Sequence, residues 1–369
     1  TLADSKRHWG LVPSVCPGRY LYEFFERPEL QENGIAVLES SLGSSSLSGF
    51  GIGSINVGVF LNVFEDHIGS SGRINSKEDI VVAKRFVFQR LTVEGVAVCN
   101  ADDSFVVSAL THIPDQLDAS VIPFGIRFDH FDLDTHKEKG GIWVTVKEGV
   151  ITICRKDEEI PFIALSDLIW TFNGSFTPSV YNALAAVSTC VAHFGLNNLP
   201  EGLAEVFRNT RLDRKGGRLT LLKGSNGTTI LADYAHEKFS LQEVGKLARS
   251  LAGEHGKTIG VVRLAFDRTD ELIKETGETI ANSYDQFIVY DKIDGHFRMP
   301  RERLISKRFP KEIVGRVSEV LSTAISGINS NCERIIREDE ALQRAAENRP
   351  ATDCPADRQS LSTAGQPVG

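Results

Sequence analysis

The stretch that most constrains this fold runs from Val57 to Asp103 and reads VGVFLNVFEDHIG, then SKEDIVVAKRFVF, then VAVCNADD. Its first part, Val57 to Phe64, is an apolar, β-branched run that ends abruptly in Glu65-Asp66-His67 and Gly69. A short apolar run closed by turn residues reads as a buried strand of a parallel sheet. Ligands of open α/β sheets sit outside the carboxyl ends of such strands, so two carboxylates and an imidazole arrive where chemistry is usually done. A helix follows, opened by Ser76 with Asp79 three residues on, a capping-box pattern. Its apolar stripe is Ile80, Val87, Phe88 and Leu91, and Lys84 lies on that stripe. An amine there either snorkels to solvent or has a function. A second strand, Gly95 to Cys99, ends in Asn100-Ala101-Asp102-Asp103.

These residues resemble the Mur ligase superfamily, and within it the ligase domain of cyanophycin synthetase. There a strand ending N-x-x-E-D-H-L-G leads to a lysine-bearing helix and then to L-N-A-D-D. Here Asn62, Glu65-Asp66-His67-Ile68-Gly69, Lys84 and Asn100-Ala101-Asp102-Asp103 match, and the likeness runs to about residue 340.

The chain ahead of this stretch is irregular to about residue 30, with Cys16-Pro17-Gly18-Arg19 near the family's C-x-G-x-R. Ile35 to Leu38 then reads as a buried strand delivering Glu39, where the family has E-T-A-R-G-G and this chain has Glu39-Ser40-Ser41-Leu42-Gly43. Gly49-Phe50-Gly51-Ile52-Gly53 lacks the spacing and the following helix of a dinucleotide fingerprint, and reads as a flexible turn. From Ser104 to Thr171 the pattern is strand-rich: Val121 to Phe124, Gly141 to Val146 and Val150 to Cys154, with Lys147-Glu148-Gly149 as a hairpin turn. A helix within Asn173–Gly195 has Pro178 in its first turn and Gly195 past its end. Another spans Leu199 to Arg211, with Pro200 in its first turn. Beyond Asp213-Arg214-Lys215-Gly216-Gly217 strands alternate with helices. The strands are Thr228–Ala232, Thr258–Leu264, Phe287–Tyr290 and Arg334–Ile336, and the alternation implies a parallel sheet. The fold class expected is α/β: a Mur-ligase-like central domain at 1–211, incomplete for want of a phosphate loop, then a Rossmann-like domain at 212–346. A polar tail, 347–369, is expected to be disordered.

The resemblance implies ATP-dependent formation of an amide between an aspartate side-chain carboxylate and an amino acid, arginine in the family, through an acyl phosphate. ATP and Mg2+ are the implied cofactors. Their implied ligands are Glu39 and His67 for the metal, and Asn100, Asn182, Arg218, Asp233, Asp267 and Arg268 for the nucleotide. Asn182 lies in Tyr181-Asn182-Ala183-Leu184-Ala185-Ala186, against the family's E-N-A-L-A-A, and inherits a place facing the adenine. Asp233-Tyr234-Ala235-His236 matches D-Y-A-H, Arg218 the family's G-R-F, and Asp267-Arg268 its G-D-R with Phe266 in place of glycine. Lys84 corresponds to a lysine carbamoylated in many relatives, and with His236 forms the implied catalytic pair. For three of these a structural reading stays open: a salt-bridged amine for Lys84, a helix cap for Asp267, a surface polar residue for Asn182. After His236 the family's N-P is replaced by Glu237-Lys238. Magnesium prefers oxygen ligands, which suits Glu39 better than His67.

Composition removes other classes. The net charge of −8 argues against nucleic acid or an anionic membrane as the main partner. No apolar run reaches the length of a membrane span, and no secretory apolar segment opens the chain. The six cysteines, Cys16, Cys99, Cys154, Cys190, Cys332 and Cys354, lack C-x-x-C or metal-ligand spacing and read as buried thiols of a cytosolic protein. No G-x-S-x-G elbow supports a hydrolase. Gly253-Glu254-His255-Gly256-Lys257-Thr258 imitates a phosphate loop, but it precedes a strand and so reads as a turn ending a helix. The chain begins at Thr1, and the expectation is that a G-x-x-G-K-[ST] loop lies upstream of it. A homo-oligomer, dimer or tetramer, is expected by resemblance. The alternative is a catalytically inactive relative or fragment with an assembly or regulatory role.

Overall fold

The computed structural model describes residues 34–39, 53–65, 68, 74–115, 120–212, 217–224, 227–265, 268–291 and 315–347, together with strand pairs at 2–3 and 8–9. His67, Asp267, the glycine run at 49–52 and the tail from 348 lie outside the described residues.

The first lobe is a six-stranded sheet whose spatial order follows the chain: β1 (Ile55–Phe60), β2 (Leu91–Asn100), β3 (Ser120–Phe124), β4 (Ile142–Lys147), β5 (Val150–Arg155) and β6 (Glu158–Ala164). The first four are parallel neighbours and the last three an antiparallel meander. The hairpin turn falls where the sequence puts it, with Glu148 at φ 49° and Gly149 at φ 76°, the positive pair that a tight two-residue turn requires.

Strand alternation divides β2 between two cores. Ala97 and Cys99 pack with α1 (Lys77–Lys84), α2 (Phe86–Gln89) and α3 (Ser104–Ala109). Val96 and Val98 pack with α5 (Thr177–Phe194) on the other face. A Cβ on Gly58 would lie 2.1 Å from the Val87 carbonyl oxygen, so the α2 backbone rests directly on β1 and only glycine fits there.

Several expectations need correction. Residues 34–39 form no strand: they are irregular, with Ile35 49% and Val37 75% exposed. A four-residue apolar run becomes a strand only where a neighbour completes its hydrogen bonds, and among the described residues none pairs with it. Glu39 is exposed at its end. The capping box of α1 is present, with Ser76 and Asp79 each satisfying the other's backbone. That helix ends at Lys84, however, and Leu91 opens β2 rather than closing the helical stripe. The stretch from Ser104, expected to be strand-rich, also holds two short helices, α3 and α4 (Leu133–Glu138), each begun by an aspartate cap, Asp103 and Asp132. The helix expected from Leu199 starts at Leu203, as α6 (Leu203–Asn209).

The second lobe has a parallel three-stranded sheet in the order β9 (Ile259–Val262), β10 (Gln286–Val289), β11 (Cys332–Arg334). Phe287 and Val289 meet α8 (Asp270–Ile280) and α9 (Arg316–Ser326), while Ile288 packs with Ala341 of α10 (Glu338–Glu347). Thr229–Ala232, expected in this parallel sheet, is β8 of an antiparallel hairpin with β7 (Thr220–Lys223). The short link between them permits nothing else, since parallel neighbours need a crossover of a dozen or more residues. Helix α7 (Lys238–Ala252) follows, and Gly253 at φ 70° caps its end, so the phosphate-loop lookalike is the expected helix-ending turn. Among the described residues no helix is long and apolar enough to cross a membrane.

The lobes meet in two ways. Phe176, Leu219, Val244 and Leu247 bury one another with Leu212 and Leu231 alongside, an apolar seam next to the connection between lobes. Farther along, Phe64 stacks on Phe239 with ring centroids 5.3 Å apart, and Glu65 reaches Lys238 at 2.6 Å.

Candidate active site

The N-A-D-D turn after β2 is built from within. Asn100, buried, donates from Nδ2 to the Leu61 carbonyl at 2.9 Å, and its Oδ1 accepts the Asp102 amide at 3.0 Å. Asp103 accepts the Val63 amide at 2.8 Å and, as the cap of α3, those of Phe105 and Val106. These two residues therefore hold the segment 61–63 that carries the chain out of β1 toward Glu65.

Asp102 turns the other way. Its carboxylate accepts the amides of Ile126 at 2.7 Å and Arg127 at 3.1 Å, that of Phe128, and the Tyr181 hydroxyl at 2.6 Å. Burial raises its pKa, but the tyrosine hydroxyl and the three amides outweigh it and hold the carboxyl below its ordinary range. Burial, and then the Asp102 charge, push the Tyr181 phenol up. This arrangement pins the loop after β3, including Phe128 at φ 60°, to the helix that presents Asn182. Asn182 itself is exposed on α5.

In the second lobe Asp233 accepts the amides of Leu219 at 2.9 Å and Ala235 at 2.8 Å, and so folds the D-Y-A-H loop against the start of β7. Leu219 sits at φ 45°, and that contact helps hold it there. His236 Nδ1 lies 2.9 Å from the Tyr234 carbonyl. A carbonyl only accepts, so Nδ1 is the donor in this contact. The Arg218 guanidinium stands 5.1 Å over the Tyr234 ring, a cation–π contact that places a positive charge on the same loop. Arg268 is buried, and its carbonyl accepts from Arg316 at 2.7 Å.

Between the lobes lies a group that the sequence did not identify. Glu65 is shared by Lys77 at 2.9 Å and Lys238 at 2.6 Å, and Lys238 also pairs with Glu275. The Lys238 hydrogen bond, ahead of the Lys77 contact and against some burial, lowers the Glu65 pKa. Burial opposes the Lys238 charge, and Glu275 and Glu65 overcome it, raising its pKa. Glu237, also part of the Glu237-Lys238 departure, caps α7 by accepting the amides of Phe239 and Ser240. One sequence signal was available: Lys238 is the first residue of α7, where the helix dipole disfavours a cation unless carboxylates answer it.

The structure thus brings the segment around Glu65 beside the loop bearing Asp233, Tyr234 and His236. Lys84 ends α1, half-buried. Glu39 stands in its exposed segment. Among the described residues no three His, Cys, Asp or Glu side chains are grouped to hold a metal ion. Cys99 and Cys154 are buried thiols, and Cys190 and Cys332 are half-buried ones.

Comparison with known proteins places this geometry. Residues 20–190 match the Mur ligase middle domain. The chain is 29% identical over 320 residues to cyanophycin synthetase of Nostoc sp., covering 86% of this chain and 33% of that protein. It is 30% identical to a UDP-N-acetylmuramoyl-L-alanyl-D-glutamate–2,6-diaminopimelate ligase of Chlamydia caviae, covering 70% of this chain and 51% of that one. Among solved structures it is similar to MurF from Acinetobacter baumannii, with a TM-score of 0.51 at 15% identity over 79% of this chain and 53% of that one. The chain therefore spans about a third of the length of the cyanophycin synthetase it matches.

Proposed function

This chain is Mur-ligase-like in sequence and in its α/β fold, and from that premise we propose that it is the ligase part of a cyanophycin-synthetase-like enzyme. The reaction would join an aspartate side-chain carboxylate of a peptide to an amino acid, arginine in the first instance. The carboxylate oxygen would attack the γ-phosphorus of ATP, releasing ADP and leaving an acyl phosphate. The incoming amine would then displace inorganic phosphate and form the amide. ATP supplies the activating phosphoryl group, and Mg2+ neutralises charge on the phosphate oxygens.

The observation that carries this reading is the meeting of the two lobes at Glu65–Lys238 and Phe64–Phe239. It sets the D-Y-A-H loop against the strand-end segment from which the family's acidic and imidazole residues project. In this reading Arg218 and Asn182 contact the nucleotide, with Asp233 shaping the loop and Arg268 and Asp267 adding to it. His236 takes a proton from the incoming amine, and Lys84 serves the phosphoryl site. Glu39 has the oxygen chemistry magnesium prefers, with His67 as its proposed companion. Asn100 acts through the β1 exit that it holds. A homo-oligomer and a cytosolic setting belong to the same proposal.

A second reading, a relative that keeps the fold without the activity, is favoured by one observation. Asn100, Asp102 and Asp233 all hold backbone amides or carbonyls, so the architecture alone gives a reason to keep them. Titration calorimetry of this chain with ATP, with and without Mg2+, separates the two. The ligase reading expects heat that grows with Mg2+ and weakens in Arg218→Ala and Asn182→Ala. Absence of heat under both conditions overturns nucleotide binding by this chain and leaves the second reading.

A further inference from the structure

We propose that Lys238 is a make-and-break latch between the lobes, bridging Glu65 when they close and retiring to Glu275 when they part.

Glu65 and Lys238 are separated by 173 residues, yet their charged groups lie 2.6 Å apart, with side chains 27% and 28% exposed. Each has a second partner on its own side of the joint. Glu65 keeps Lys77, 2.9 Å away on α1, and Lys238 keeps Glu275 on α8. Breaking the bridge therefore strands neither charge, and the large penalty for orphaning a buried ion does not apply. A permanent staple would have no need of these spare partners. The position of Lys238 argues the same way: a cation opening α7 is disfavoured by the helix dipole and is drawn outward, toward carboxylates.

The joint is divided accordingly. The apolar seam of Phe176, Leu219, Val244 and Leu247 resists parting and acts as the pivot. The rim carries the reversible ion pair and one aromatic stack, Phe64 on Phe239. The bridge lies two residues from His236, so opening it withdraws the D-Y-A-H loop from the strand-end segment. None of this requires that the chain ligate anything.

Small-angle scattering of the full chain without nucleotide reads lobe separation directly. Lys238→Met and Glu65→Gln should each raise the open-to-closed ratio about two- to fivefold at low salt, the range for a partly exposed ion pair. Wild type should open toward the same level as ionic strength rises from about 0.05 to about 0.5 M, because that screens the pair. The Met and Gln variants should lose this salt response, and Lys238→Arg should keep it. Lys77→Met and Glu275→Gln should do the reverse and favour closure, because each removes a partner that competes for the bridge's charge when closed and alone holds it when open. Circular dichroism establishes that each variant is folded, and Glu65→Gln breaks the same bridge from the other side if Lys238→Met does not fold. Scattering and salt response unchanged in both Lys238→Met and Glu65→Gln overturn the latch. So does opening in all four neutral variants, which is the mark of a merely structural cluster.

Discussion

Asp102 and Glu65 are both carboxylates near strand ends of one sheet, and both are held below their ordinary pKa. They are held by different means. Asp102 is surrounded by three backbone amides and a tyrosine hydroxyl, all fixed by the fold. Glu65 is held by the tips of two lysine side chains, one of them from the other lobe. The first arrangement cannot let go without unfolding the loop after β3. The second can change partners at small cost. Similar acids thus serve a built floor and a movable rim, and the difference lies in whether the backbone or a flexible amine supplies the hydrogen bonds.

The largest effect should come from breaking the floor. Asp102→Asn replaces one carboxylate oxygen with an NH2 group facing donors, so charge-assisted bonds to the Ile126, Arg127 and Phe128 amides are lost or weakened, and should cost about 1.5–3 kcal/mol. Urea unfolding measures it, and a loss within error of zero would show that the amide nest does not depend on the charge. The pH dependence sharpens the same contrast. An acid whose pKa is depressed on folding adds stability above its unfolded value, about 3.9 for Asp and 4.3 for Glu. It loses that contribution as pH falls through the folded pKa. Asp102 and Glu65 therefore both favour the folded chain near neutrality and both weaken it on acidification. Salt tells them apart, since the donors around Asp102 are neutral amides and a hydroxyl, whereas Glu65 is held by lysine charges that salt screens. Stability measured from about pH 5 downward should flatten in Asp102→Asn at low and high salt alike. In Glu65→Gln it should flatten at low salt only.

Much of the floor was legible in the sequence, and little of the rim. The β-branched run into β1, the Ser76–Asp79 capping box, the Lys147-Glu148-Gly149 turn and the Pro178-to-Gly195 helix are set by local chemistry, and each is present. Asp103 and Asp132 were equally local signals. Each caps a helix of only six residues, too short for an apolar period to show in the sequence. Ile35–Leu38 failed in the opposite sense: its pattern suited a strand, but strand formation depends on a neighbour that pattern does not supply. The part N-A-D-D plays in building the fold was hidden for a related reason. Its partners Leu61, Val63, Ile126 and Tyr181 come from elements distant in the chain. Glu65–Lys238 was hidden most fully, since charge attraction across two lobes has no period and no spacing.

The smallest expected effect on stability is also the one that most directly tests the rim. Lys238→Met removes the ion pairs to Glu65 and Glu275, and each exposed or partly exposed pair contributes about 0.2–1 kcal/mol. The loss is offset in part because the substitution also takes a cation away from the positive end of α7, which favours the helix by about 0.3–1 kcal/mol. Urea unfolding of Lys238→Met should therefore stay within about 0.5 kcal/mol of wild type, the range of an ordinary surface change. Lobe separation should shift all the same, because the helix-end term is present in open and closed states and cancels between them, whereas the Glu65 contact exists in only one. A destabilisation as large as that of Asp102→Asn would place Lys238 in the floor, as a fixed structural bridge, and would erase the distinction between the two regions.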